Sequence, residues 1–129
     1  MDDATPGRDR GKMAAAVSNA ILKIHSEHYG RGASRARTVM GADYVICFLE
    51  DIYTPAERTL LESGEVEVVV EMRLAFQRAM EARFTELIES VTGRRVRAFL
   101  SQTHIDPDIS CEIFVLEPNG SRPAPEGIG

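Results

Sequence analysis

Six arginines stand at the entrances of two strand-like runs: Arg31, Arg35 and Arg37 in the first half, Arg94, Arg95 and Arg97 in the second. Guanidinium groups fork hydrogen bonds to carboxylates, phosphates or bicarbonate. Beside Gly30, Gly32 and Gly93 they form a candidate anion patch, with Arg31, Arg35, Arg37, Arg95 and Arg97 as its ligand-binding residues. The plainer reading of the same residues is an exposed polar sheet edge, where charge discourages strand-to-strand aggregation. His25 and His28 flank Glu27 on one helical turn, and His104 precedes Asp106 and Asp108. Imidazole and carboxylate groups hold zinc only if the fold gathers them; the spacing does not require it, and no metal or cofactor is expected. No serine or cysteine sits at a glycine-flanked elbow with a histidine and acid to serve it. Gly30-Arg31-Gly32 lacks the length and lysine of a phosphate-binding loop. The chain is therefore expected not to be an enzyme.

Those residues must be positioned by a small fold. At 129 residues with 43% apolar content, the chain suffices for one domain and a modest core. A net charge of −5 and a pI near 5.2 argue against a nucleic-acid binder that works by neutralising phosphates. Apolar runs are a handful of residues, far short of the roughly 20 that cross a bilayer, so no direct membrane insertion is expected. The acidic start, Met1-Asp2-Asp3, has no apolar segment of the kind a secretory signal needs. Cys47 and Cys111 lie inside apolar runs, as buried thiols in a reducing compartment do. A cytoplasmic location follows as the expectation.

Residues 1–12 and 118–129 are rich in Gly, Pro and charge and read as disordered tails, leaving 13–117 as a single domain. Met13, Val17, Ala20, Ile21 and Ile24 recur at helical spacing. Two β-prone runs follow, Ala36 to Met40 and Tyr44 to Leu49, close enough for a hairpin. Thr54-Pro55-Ala56-Glu57 has the pattern of a capping box with proline in the first turn, which starts a helix. After a pause at Ser63 and Gly64, Val69, Met72, Phe76, Met80, Phe84, Leu87 and Val91 mark a long helical stripe, although Val66 to Val70 favour a strand by propensity. Thr92-Gly93 ends it. Arg95 to Gln102 and Ile109 to Leu116 form a second hairpin around Asp106-Pro107-Asp108. The expected class is α+β, an αββ-ααββ arrangement with a four-stranded antiparallel sheet and helices packed on one face. The halves match in order and loosely in sequence: Arg35-Ala36-Arg37 against Arg95-Val96-Arg97, and Cys47-Phe48-Leu49-Glu50 against Phe114-Val115-Leu116-Glu117. This is the pattern of an internal duplication or of two similar units alike by chance.

Gly30-Arg31-Gly32 after a first helix, Thr54-Pro55-Ala56-Glu57 with Leu60 and Leu61, and a long helix closing in Thr92-Gly93 before a final hairpin resemble the MpsC-like family over residues 15–117. Its members are short bacterial proteins named for a sodium-translocating, membrane-potential-generating system. Ala33 stands where a proline commonly follows the second glycine, and Tyr53 where a leucine often precedes the threonine. The resemblance implies a non-enzymatic accessory or regulatory protein of a membrane ion or inorganic-carbon transport system. The long helix, about 42 Å at 1.5 Å per residue, and the opposed charges of the acidic helical segment and basic strand ends suggest a homodimer. The partners expected are a second copy and a membrane transport subunit. The alternative reading is a small-anion or nucleotide sensor built on the arginines.

Overall fold

The structure, a computed structural model, describes residues 6–29 and 35–118. Its elements are α1 (Pro6–Tyr29), β1 (Arg35–Met40), β2 (Tyr44–Glu50), α2 (Pro55–Glu62), α3 (Val66–Thr92), β3 (Val96–His104) and β4 (Ile109–Leu116). The class is α+β, with one four-stranded antiparallel sheet in the order β1-β2-β4-β3. Helix α1 starts at Pro6, not Met13: proline is well tolerated in a first turn, and the polar residues up to Lys12 extend the helix without adding to its apolar stripe. Of the two expected tails, residues 1–5 and 119–129 lie outside the described residues.

Local chemistry fixes the element ends. Thr54 accepts from the Glu57 backbone N–H, and the Glu57 carboxylate accepts from the Thr54 N–H, so the capping box is complete. Gly93 closes α3 at φ 70°, a left-handed conformation glycine adopts without strain. The valine-rich start of α3 is helical because the buried residues Val69, Arg73, Gln77, Met80, Phe84 and Ile88 recur every three or four positions, and tertiary burial outweighs a propensity of tenths of a kcal/mol. The buried stripe is rotated from the expected one. Met72 is 43% exposed, while Arg73, Gln77 and Ile88 are buried.

Strand alternation gives the sheet two distinct faces. On the inner face, Val17, Ile21 and Ile24 of α1 and Met80, Phe84 and Ile88 of α3 pack against Val45, Cys47, Leu49, Phe114 and Leu116. Phe99 links this core to Phe84 and Phe114 through ring contacts at 6.5 and 5.1 Å. One row across this face is polar: Thr38, Cys47, Glu112 and Ser101 stand side by side on the four strands, with Ser18 of α1 bonded to Thr38 at 2.7 Å. The outer face carries Val39, Tyr44 and Leu100, which are exposed, and Ile46, Phe48, Cys111, Ile113 and Val115, which are partly buried. The two thiols, both free, therefore point to opposite faces.

Phe114 occupies the centre of the inner face at 0% exposure. Phe114→Ala is expected to cost about 3–5 kcal/mol, read as a lower denaturant midpoint with an unchanged slope; a loss under about 1 kcal/mol would contradict this core.

Candidate functional site

The first turn of α2, the 51–53 connection and the β3–β4 turn meet over a buried arginine. Arg73, 2% exposed, extends from α3 so that its Nε lies 3.3 Å from the carboxylate of Glu57, which is fully buried. The guanidinium also lies over the Tyr53 ring at 4.4 Å and 3.9 Å from Asp108 Oδ1. Asp108 in turn holds the chain opposite: its Oδ2 accepts from the N–H groups of Ile52 and Tyr53, both at 2.8 Å, and its carbonyl accepts from Asp51 N–H. The Tyr53 hydroxyl donates to the Ile105 carbonyl at 2.7 Å. One helix start and one hairpin turn are thus pinned to the same cation.

Behind Arg73, a pinhole of about 10 Å³ separates it from His25, Gln77, Ser110 and Glu112. Burial drives the Glu112 carboxyl up from 4.5 to about 7, against the pull of the Arg73 charge. Its Oε1 finds no hydrogen-bond partner among the described residues. Burial also raises Asp108, although the Tyr53 N–H and Arg73 oppose this. A proton on Glu112 therefore relieves the cost of burying its charge, a cost that the Arg73 guanidinium offsets only in part.

In front of this knot opens a cleft of about 650 Å³, within the range of ligand sites. Leu61, Val66, Ile105, Pro107 and Ile109 give it apolar walls. Its charged residues are Glu50, Asp51, Glu62, Asp106 and Asp108 against Arg35 and Arg58, so acids outnumber bases. Both arginines are engaged: Arg58 donates to Asp51 at 2.6 Å, and Arg35 to Glu50 at 3.2 Å. The lining therefore suits a cationic or amine-bearing group with apolar flanks better than an anion.

The sheet order separates the expected anion residues. Arg35 and Arg37 lie on edge strand β1 at the Glu50 end, whereas Arg97 lies on the opposite edge strand β3 and Arg95 just before it, both at the Leu116 end. The two groups occupy diagonal corners, about 20–30 Å apart from strand spacing and rise. Arg31 lies outside the described residues. Arg37 lies over the Phe48 ring at 4.8 Å. Arg94 is structural: it donates to the Ala42 and Glu117 carbonyls and to Asp43 Oδ1, tying the first hairpin to the end of β4. Buried His25 sits edge-on to Phe76, and His104 bonds the Pro107 carbonyl on the exposed side. Among the described residues no three His, Cys, Asp or Glu side chains converge as metal ligands.

Sequence reasoning found the capping box and the turn but missed Arg73, Gln77 and Glu112. A signal existed for each. Arg73 falls in phase between Val69 and Met80, and Glu112 alternates with Ser110, Phe114 and Leu116 on one face of its strand.

Removing one partner of a buried pair strands the other charge. Arg73→Ala is expected to cost about 3–5 kcal/mol, whereas Glu57→Gln with Arg73→Met, which keeps the capping box, should cost less; equal losses in urea titrations would contradict a coupled pair. The raised Glu112 means that the folded protein binds a proton the unfolded chain has released between about pH 4.5 and 7. Its ionised form thus destabilises the fold above pH 7, and stability returns as pH falls to 4.5. Glu112→Gln should stabilise by on the order of 3 kcal/mol at pH 8 and by little at pH 4.5; a benefit that does not vary with pH would contradict this.

Comparisons with curated proteins and with solved structures found no match. The model of one family, described as "Na+-translocating membrane potential-generating system (MpsC)", matches residues 9–118. That span runs from the start of α1 to just past β4 and takes in Thr54, Glu57, Arg73 and Asp108, so this chain belongs to the MpsC family.

Proposed function

We propose that this protein is a non-enzymatic, cytoplasmic accessory or regulatory protein of a membrane ion-transport system, working as a homodimer. Family membership supplies the association with a Na+-translocating system. No helix of the described residues is long and apolar enough to cross a membrane, which supports a role at the membrane's edge and not as the conduit. Moving an ion through hydrocarbon requires a spanning element with polar groups inside it.

The cleft beside Arg73 is the surface that takes the membrane partner. Cytoplasmic loops of membrane proteins carry an excess of Lys and Arg close to their spans. A basic loop segment with apolar flanks complements a cleft in which acids outnumber bases and Leu61, Val66, Ile105 and Ile109 supply apolar contact. Electrostatic attraction of this kind raises the association rate and weakens with salt.

The observation that carries the reading is the coincidence of family membership with an acidic, apolar-walled cleft. Membranes bearing the transport subunit are expected to retain the purified chain at low salt and release it at high salt. Glu62→Lys with Asp106→Lys should weaken retention at least about tenfold, since like charges face the partner, without lowering thermal stability. Deleting the gene should lower the Na+-dependent membrane potential, and the wild-type gene should restore it. Unchanged potential together with no retention would sink the proposal.

A further inference from the structure

We infer that the outer face of the sheet is the self-association surface, on which a second copy of this chain packs sheet against sheet. This rests on the reading that the chain works as a dimer and names the surface, which is neither the long helix nor the arginine edges.

Helices α1 and α3 cover the inner face, and among the described residues none covers the outer one. The register places Val39, Ile46, Ile113 and Leu100 in one row across all four strands. Adjacent rows add Phe48 and Cys111, between Arg37 and Gln102 on the two edge strands, on one side and Tyr44, Val115 and Ala98 on the other. Leu100 is 50% exposed, Tyr44 42% and Val39 37%. A contiguous apolar patch of this kind is unusual on a monomer and marks an interaction site.

Area and charge favour a second copy as occupant. Four strands at about 4.8 Å and three rows at about 6.7 Å give a footprint near 400 Å². Counted on both partners, such a face removes about 800 Å² from water as a flat footprint and about 1,000–1,200 Å² once side-chain corrugation is added, the lower range of a specific interface. Two such sheets pack about 10 Å apart, as in a β-sandwich. The central row carries no charge, and Arg37, the charged residue in the row beside it, lies over Phe48 at the edge. Charges of both signs gather at the ends: Arg35 with Glu50 at one, Asp43 and Glu117 near Arg94 and Arg95 at the other. A neutral centre with a mixed rim is complementary to itself. It offers no single-sign field to select a charged partner or an anionic lipid surface.

Cys111 provides an internal reporter, because it sits on this face beside Phe48 while Cys47 is buried in the core. The full chain is expected to sediment as a dimer whose mass persists in high salt. Its Cys111 should react slowly with a thiol reagent at high protein concentration and faster on dilution, with Cys47 silent throughout. Ile113→Arg, at the centre of the face, should weaken the dimer by at least about a hundredfold, halve the mass and raise the Cys111 rate to its diluted value. The far-ultraviolet circular dichroism should stay that of the wild type. If Ile113→Arg fails to fold, Leu100→Glu at the edge of the same row carries the test by the same readouts. A chain that stays monomeric at every concentration would overturn the inference. So would a dimer that dissolves in salt or survives both substitutions, and so would Cys111 protection that needs membranes instead of a second copy. Retention by transporter membranes is scored separately: a monomer still retained there overturns this inference and leaves the partner reading standing.

Discussion

A single buried guanidinium organises one end of the molecule. Arg73 would be intolerable in a core without compensation, since the cost of desolvating an ion reaches several kcal/mol. Compensation comes from three separate stretches: Glu57 in the first turn of α2, Asp108 in the second hairpin turn and the ring of Tyr53 between them. Because Glu57 also completes the capping box and Asp108 also binds the backbone of Ile52 and Tyr53, the cation ties the helix start to the turn. One wall of the cleft is the outer surface of these same segments, through Asp51, Tyr53, Ile105, Asp106, Pro107 and Asp108. The shape of the cleft therefore depends on a charge that never touches solvent.

Much of the fold was legible from short-range chemistry. The capping box at Thr54, the glycine stop at Gly93 and both hairpins stand where residue type placed them. The period through Val66 to Val70 correctly overrode their strand preference. What remained hidden depends on which strands become neighbours. The order β1-β2-β4-β3 puts the two hairpins back to back, and that sends the arginine groups to opposite corners. The same order is what a duplicated helix-plus-hairpin unit would produce. Arg35 stands across from Glu50 in one half, while the Arg95 carbonyl accepts from the Glu117 N–H in the other. The sheet order that gives the two arginine groups like positions in their hairpins is what keeps them apart.

Charged residues in the interior were the second blind spot. Amphipathic reading assigns arginine, glutamine and glutamate to solvent, so Arg73, Gln77 and Glu112 fell outside the expected stripe and Met72 inside it. A polar residue in phase with a buried stripe is better read as a buried one than as a break in the pattern: Arg73 is held there by Glu57, and burial retains the proton on the Glu112 carboxyl.

The polar row beneath the helices bears on how the strands find one another. Thr38, Cys47, Glu112 and Ser101 share one level of the sheet, flanked by Met40, Val45, Phe114 and Phe99 on one side and by Ala36, Leu49, Ser110 and Thr103 on the other. Sliding β4 by two residues along β2 would preserve inward and outward alternation, yet it would set Glu112 against Val45 or Leu49 and leave Cys47 facing Phe114 or Ser110. Hydrophobic pattern alone cannot penalise such a slip. A carboxyl can, because the slip would carry Glu112 away from the Arg73 charge that offsets its burial, so the row serves as an alignment key that selects one pairing of the central strands from several that are equally greasy.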